Sequence, residues 1–143
     1  MKIKQNYFEF RNALTKNEIQ KAEEFFQKAY DEAFVIYQHK LTHNKKFDLK
    51  NEDELFALVV LVDNIIGLWK EGMIEEGVAL SESLIELIDS PKLKEMLKGY
   101  SLGMESGIEV DRFFREYVNL SKVDEEFPQF LCNFNENIKE LIK

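Results

Sequence analysis

One stretch of this chain, LFALVVLVDNIIGLW at Leu55–Trp69, constrains the fold more than any other. Asp63 and Asn64 are its main polar interruptions, so a helix built from it is apolar on nearly every side. A helix of this kind must be surrounded by other elements. Its 15 residues fall short of the ~20 that a membrane-spanning helix needs. The stretch therefore predicts a central, buried helix in an all-α fold.

The rest of the chain also favours helices. It contains only six glycines and two prolines, fewer breakers than an all-β fold or a disordered chain would require. Three- and four-residue spacing of apolar side chains predicts an amphipathic first helix. We expect a compact bundle of about five helices in a single domain, 1–143. The predicted helices cover 16–41, 51–71, 74–88, 91–119 and 128–142, with a short helix or an arm at 1–14. Residues 91–119 form either one helix or two that meet near Gly103.

Local signals place several of the helix ends. Thr15 with Glu18, and Asn51 with Glu54, have the spacing of a capping box, in which side chains satisfy the first backbone N–H groups of a helix. Gly72 suits the left-handed residue after a helix. The pair Ser90 and Pro91 predicts another helix start, because proline at the first helical position loses no hydrogen bond.

A further motif, GMIEEG, runs from Gly72 to Gly77. With the proline at 91, it resembles a tetratricopeptide repeat over residues 58–91. That family stacks 34-residue helical hairpins whose small residues permit close helix packing. The resemblance implies tetratricopeptide-like helical hairpins as the alternative fold. A partial echo of the motif, YSLGM at Tyr100–Met104, raises the question of a second turn.

Charge and cysteine content limit the biological setting. The net charge is −8, and residues 51–143 hold twenty acidic against nine basic side chains. Such a chain is repelled by nucleic-acid phosphates, so we expect no direct nucleic-acid binding. The first residues lack the apolar run of a secretory signal, and the lone Cys132 suits a reducing compartment. We expect a cytoplasmic protein without a membrane anchor.

Few residues suggest chemistry. His39 and His43 stand four apart, as in many helical metal sites, and Asp48, Glu52 or Asp53 would supply a further ligand only if the linker folds back. Cys132 has no CxxC partner and is interpreted as a structural cysteine. Asp63 is expected to be buried, where it would cap a helix, pair with Arg112 or Arg115, or carry a raised pKa. No glycine-rich phosphate loop is present, so we predict no catalytic residue and no cofactor.

A basic run precedes the apolar helix. It surrounds Phe47 and comprises Lys40, His43, Lys45, Lys46 and Lys50. The run is interpreted as a solvated loop or as a contact for a phosphate or an acidic partner.

Two candidate partner surfaces remain. The first is an aromatic row on the first helix, which would lie in the core or bind a partner helix or a second copy of the chain. Its residues are Phe26, Tyr30, Phe34 and Tyr37. The second is an acidic face that would suit a basic partner. Its residues are Glu71, Glu75, Glu76, Glu82 and Glu86.

These observations predict a non-catalytic protein–protein interaction module, such as an adaptor, a chaperone-like escort or a regulatory subunit. Its partner would be basic or would present an amphipathic helix, and a homodimer is a further expectation. One alternative is an acidic inhibitor that mimics nucleic acid and occupies a basic enzyme. Another is a helical metal-binding protein that uses His39 and His43.

Overall fold

The computed structural model describes residues 3–142. Within them, every regular element is helical, and the all-α prediction is confirmed. The helices are α1 (Ile3–Thr15), α2 (Ile19–His43), α3 (Glu52–Lys70), α4 (Ile74–Glu86), α5 (Pro91–Glu105), α6 (Val110–Tyr117) and α7 (Lys139–Ile142), the last preceded by a 3₁₀ turn at Glu136–Ile138.

The chain divides into two compact units, unit 1 at Met1–Asp63 and unit 2 at Asn64–Lys143. In unit 1, α1 packs along α2. In unit 2, α4 packs along α5, and α6 contacts α5 and the 3₁₀ turn. The prediction that residues 1–143 form a single domain stays a prediction.

The apolar helix is buried as expected. The run 56–62 is buried without a break, and so are Ile65 and Trp69. Asn51 caps its start, because the Asn51 Oδ1 accepts the backbone N–H of Glu54 at 3.1 Å. Its end is the predicted one: Gly72 has φ +79°, and the Met73 N–H bonds to the Leu68 carbonyl at 2.9 Å. This is the Schellman arrangement, which satisfies carbonyls that the helix leaves without partners.

The predicted start of the first long helix is wrong. Thr15 belongs to the end of α1, where its hydroxyl donates to the Arg11 carbonyl at 3.1 Å, and Glu18 makes no side-chain cap to α2. Asn17, with φ +59°, ends α1 through a bond of 2.8 Å from the Glu18 N–H to the Ala13 carbonyl. Asparagine adopts this left-handed conformation more readily than most residues. The segment TKNE therefore ends a helix before another begins, and residues 3–15 are a helix rather than an arm.

Region 91–119 contains two helices, and they do not meet at Gly103. Ser90 caps α5 as predicted, since its Oγ accepts the Leu93 N–H at 3.3 Å. The break comes at Gly107, which has φ +73° and the same Schellman bonding as Gly72, with the Ile108 N–H on the Gly103 carbonyl at 3.1 Å. Gly103 has a different role: a Cβ there would lie 2.6 Å from a Phe113 ring carbon. It permits close packing inside unit 2.

The predicted helix 128–142 is wrong for most of its length. Residues 118–135 are largely irregular, with one antiparallel bridge between Val118 and Phe134. Asp124 is one cause, because its Oδ2 accepts the backbone N–H of Phe127 at 2.8 Å and holds a turn before Pro128. Phe130 and Cys132 are buried while Leu131 is exposed, the alternation of an extended segment.

Candidate protein-interaction surfaces

The aromatic row on α2 lies at the edge of the buried face. The small residues Ala22, Ala29 and Ala33 occupy the buried centre, where they are at most 1% exposed. Beside them the four rings follow one another along the helix, with centroid separations of 6.5, 5.8 and 5.9 Å from Phe26 through Tyr30 and Phe34 to Tyr37. Phe34 is 36% exposed and the other three are half-buried. Their role as a partner surface stays a prediction.

The acidic side chains predicted to form one face separate into two sets. At about 100° of rotation per residue, Glu75, Glu82 and Glu86 lie on one flank of α4, whereas Glu76 lies about 100° further round the helix. Glu71 is exposed in the turn between α3 and α4. The flank that holds Glu75 and Glu82 borders a concave surface.

That concave surface is a groove of about 300 Å³ on unit 2. Three apolar side chains from α4, Ile74, Val78 and Ala79, line it. Three carboxylates line it as well: Glu75 and Glu82 from α4, and Glu105 from the end of α5. Sequence reasoning missed Glu105, because no spacing along the chain connects it to α4. We name this surface the acidic groove.

The carboxylates of the acidic groove have no counter-ion among the side chains of residues 3–142. Among the ion pairs of residues 3–142, none involves Glu75, Glu82 or Glu105. Their side chains are exposed, so they stay hydrated in the absence of a partner. A cluster of exposed, negatively charged carboxylates attracts a cationic partner over a distance, before the two surfaces touch.

A second concavity adjoins the groove at Ile74. This cleft has a volume of about 510 Å³ and lies where α3 and α5 end and α4 and α6 begin. Trp69, Met104 and Ile108 are among its apolar lining residues, and Lys70, Glu109 and Asp111 are its charged ones. The Trp69 indole N–H donates to the Ile108 carbonyl at 2.9 Å, which fixes the wall between α3 and the loop before α6.

The two candidate metal ligands, His39 and His43, lie side by side, and no third ligand accompanies them among residues 3–142. The rings of His39 and His43 stack at 4.2 Å between centroids. Within residues 3–142, the structure shows no group of three His, Cys, Asp or Glu side chains placed to hold a metal ion. Structural and catalytic zinc sites use at least three protein ligands.

Asp63 does not pair with the predicted arginines. Its partner is Tyr7 of α1, whose hydroxyl donates to it, with Arg11 also nearby. Burial raises the Asp63 pKa, while Tyr7 and Arg11 oppose part of that rise. Arg112 instead binds Glu116 at 2.8 Å. The contacts of Asp63 are those of a structural group that attaches α1 to α3.

Cys132 is buried in the irregular C-terminal segment rather than on a helix. Burial, followed by the charge of Asp124, raises the pKa of its thiol. A raised pKa keeps the sulfur protonated, whereas nucleophilic cysteines need a lowered one. Asp124 itself forms an ion pair with Lys92 that attaches this segment to the start of α5.

The basic run is partly internal to unit 1. Lys40 forms an ion pair with Glu54 at 2.6 Å, and both side chains are largely covered. Phe47 is buried. The Glu54 side chain also accepts the Asp48 N–H at 2.9 Å. Lys40 and Phe47 therefore hold the loop between α2 and α3 in place.

No helix among the described residues is long and apolar enough to cross a membrane. Comparisons with protein-family models, curated proteins and solved structures find no match for this chain.

Proposed function

We propose that this chain is a non-catalytic protein–protein interaction module that binds a basic partner through the acidic groove of unit 2. One observation carries the proposal: three carboxylates that form no ion pair within residues 3–142 line one groove together with Ile74, Val78 and Ala79. A groove lined by both apolar and charged side chains is typical of a site for an amphipathic peptide. A surface that mimicked nucleic acid would need carboxylates spaced like phosphates, with no apolar floor between them.

The charge of unit 2 supports a basic partner. Asn64–Lys143 contains sixteen acidic and nine basic side chains. This excess would accelerate encounter with a cationic protein, while burial of the groove floor would supply most of the affinity. The lone cysteine supports a cytoplasmic setting for the complex.

Charge reversal with a matched control tests the proposal. The variant Glu75→Lys with Glu82→Lys reverses the groove, and the variant Glu76→Lys with Glu95→Lys makes the same charge change at exposed positions that do not line it. Each protein would be used to capture partners from extracts of its native cells, followed by mass spectrometry. We expect a basic protein that the wild type and the control retain and the groove variant loses.

Purified components would then be titrated at increasing salt. Rim carboxylates act through charge, so the association rate should fall as ionic strength rises. If the groove and control variants lost the same partners to the same extent, net charge alone would account for binding. The proposal of a groove-specific partner would then be abandoned.

A further inference from the structure

The spacing of the carboxylates in the acidic groove bears on the conformation of a peptide segment bound there. Glu75 and Glu82 are seven residues apart on α4 and both line the groove. At a rise of about 1.5 Å per residue, they are separated by about 10.5 Å along the helix axis. The two residues therefore lie two helical turns apart on the same side of α4, and a segment whose cations have this spacing would pair with both.

An extended segment matches the spacing of Glu75 and Glu82 poorly. At about 3.3 Å per residue, a strand covers that distance in three residues. Side chains three apart in a strand point to opposite faces, and those that share a face lie about 6.6 or 13.2 Å apart, so no such pair has the spacing of Glu75 and Glu82. A helix matches it well, because residues seven apart are two turns apart and lie on the same face.

The groove floor agrees with a helical ligand. Ile74 and Val78 are one turn apart on α4 and line the groove beside Glu75 and Glu82. A volume of about 300 Å³ admits apolar side chains but not a whole helix, whose diameter is about 10–12 Å. The ligand would thus lie over the groove with its apolar edge inserted. Glu105 of α5 adds a third carboxylate to the lining.

We propose that the segment bound in the acidic groove is an amphipathic α-helix with basic residues seven apart and apolar residues one turn from each. This inference rests on the proposed function. It adds the conformation of the partner segment and the register of its charges.

Synthetic peptides of one composition test the inference. The first has lysines at positions i and i+7 with leucines at i+3 and i+4; the second moves the later lysine to i+5, which turns it to another side of the helix. A third keeps the first register but has a central proline that breaks the helix. Binding would be measured by fluorescence anisotropy, and helicity by circular dichroism of the complex.

We expect the first peptide to bind the wild-type protein at least about tenfold more tightly than the other two, and to gain helicity on binding. Glu75→Gln with Glu82→Gln should remove most of this preference, whereas Glu76→Gln should leave it unchanged. Equal affinity for all three peptides, still lost in the Glu75→Gln and Glu82→Gln variant, would overturn the helical register while leaving a basic-peptide groove. Binding of none of the peptides would overturn the inference, and the partner captured in the preceding experiment would then decide the proposed function separately.

Discussion

Gly103 provides a direct test of how tightly unit 2 is packed. An added Cβ would lie 2.6 and 2.8 Å from two Phe113 ring carbons and 2.9 Å from a Trp69 ring carbon. These are core rings that cannot swing away, since Phe113 is 0% and Trp69 4% exposed. Overpacking of a core by one methyl group costs about 1–3 kcal/mol. We expect Gly103→Ala to destabilise the protein.

Gly67 is the matched control. It also lies within a helix, and a Cβ there would meet nothing within 4 Å. Both substitutions gain up to about 1 kcal/mol of helix propensity. The difference between the two variants therefore isolates the strain at Gly103, about 1–3 kcal/mol. Gly67→Ala alone should be neutral or stabilising.

Urea unfolding would measure both variants. Far-UV circular dichroism reports the helices, and the fluorescence of Trp69, the one tryptophan in the sequence, reports packing beside Gly103. The midpoint should fall in Gly103→Ala without a change in the slope of the transition. Phe113→Leu in the same background should recover part of the loss, because neighbouring substitutions couple. Equal stability of the Gly103→Ala and Gly67→Ala variants would refute the reasoning.

Three further predictions concern single residues. Trp69→Phe removes the indole N–H from the Ile108 carbonyl and should cost about 1–3 kcal/mol in thermal or urea unfolding, because the carbonyl loses its donor; unchanged stability would contradict it. Gly107→Ala places a side chain at φ +73° and should cost about 1–2 kcal/mol, whereas the Gly67→Ala control should not. Burial raises the pKa of Asp63, so the folded state holds that proton more tightly, and stability should fall as pH rises from about 4 towards the folded pKa. Asp63→Asn should flatten this dependence in urea titrations, and an unaltered profile would show that other groups cause it.

Much of the helical structure could be predicted from local signals. Asn51, Gly72 and the pair Ser90 and Pro91 mark helix ends through hydrogen bonds that span only a few residues. The apolar stretch is buried because a helix with no polar face has no stable position at the surface. Such features depend on local backbone geometry and on burial, and both can be read from the order of residue types along the chain.

Other elements depended on competition between local signals. Thr15 and Glu18 match a capping box, but Asn17 lies between them and ends α1 first. The C-terminal segment contains helix-forming residues, yet Asp124 binds the backbone N–H of Phe127 and favours a turn. Because Phe130, Leu131 and Cys132 are all apolar, the alternation of their burial is visible only in the tertiary structure.

The candidate site shows the same division. Glu75, Glu82 and Val78 share a flank of α4 by helical periodicity, which the sequence determines by itself. The sequence also determines the helical class of the chain, the burial of its apolar stretch and its acidic excess, since all three follow from which side chains are present and how often they recur. Only the tertiary structure decided that Glu105 lines the same groove and that Tyr7 is the partner of Asp63. Those facts require side chains far apart in the chain to meet, and their meeting is set by how whole helices pack.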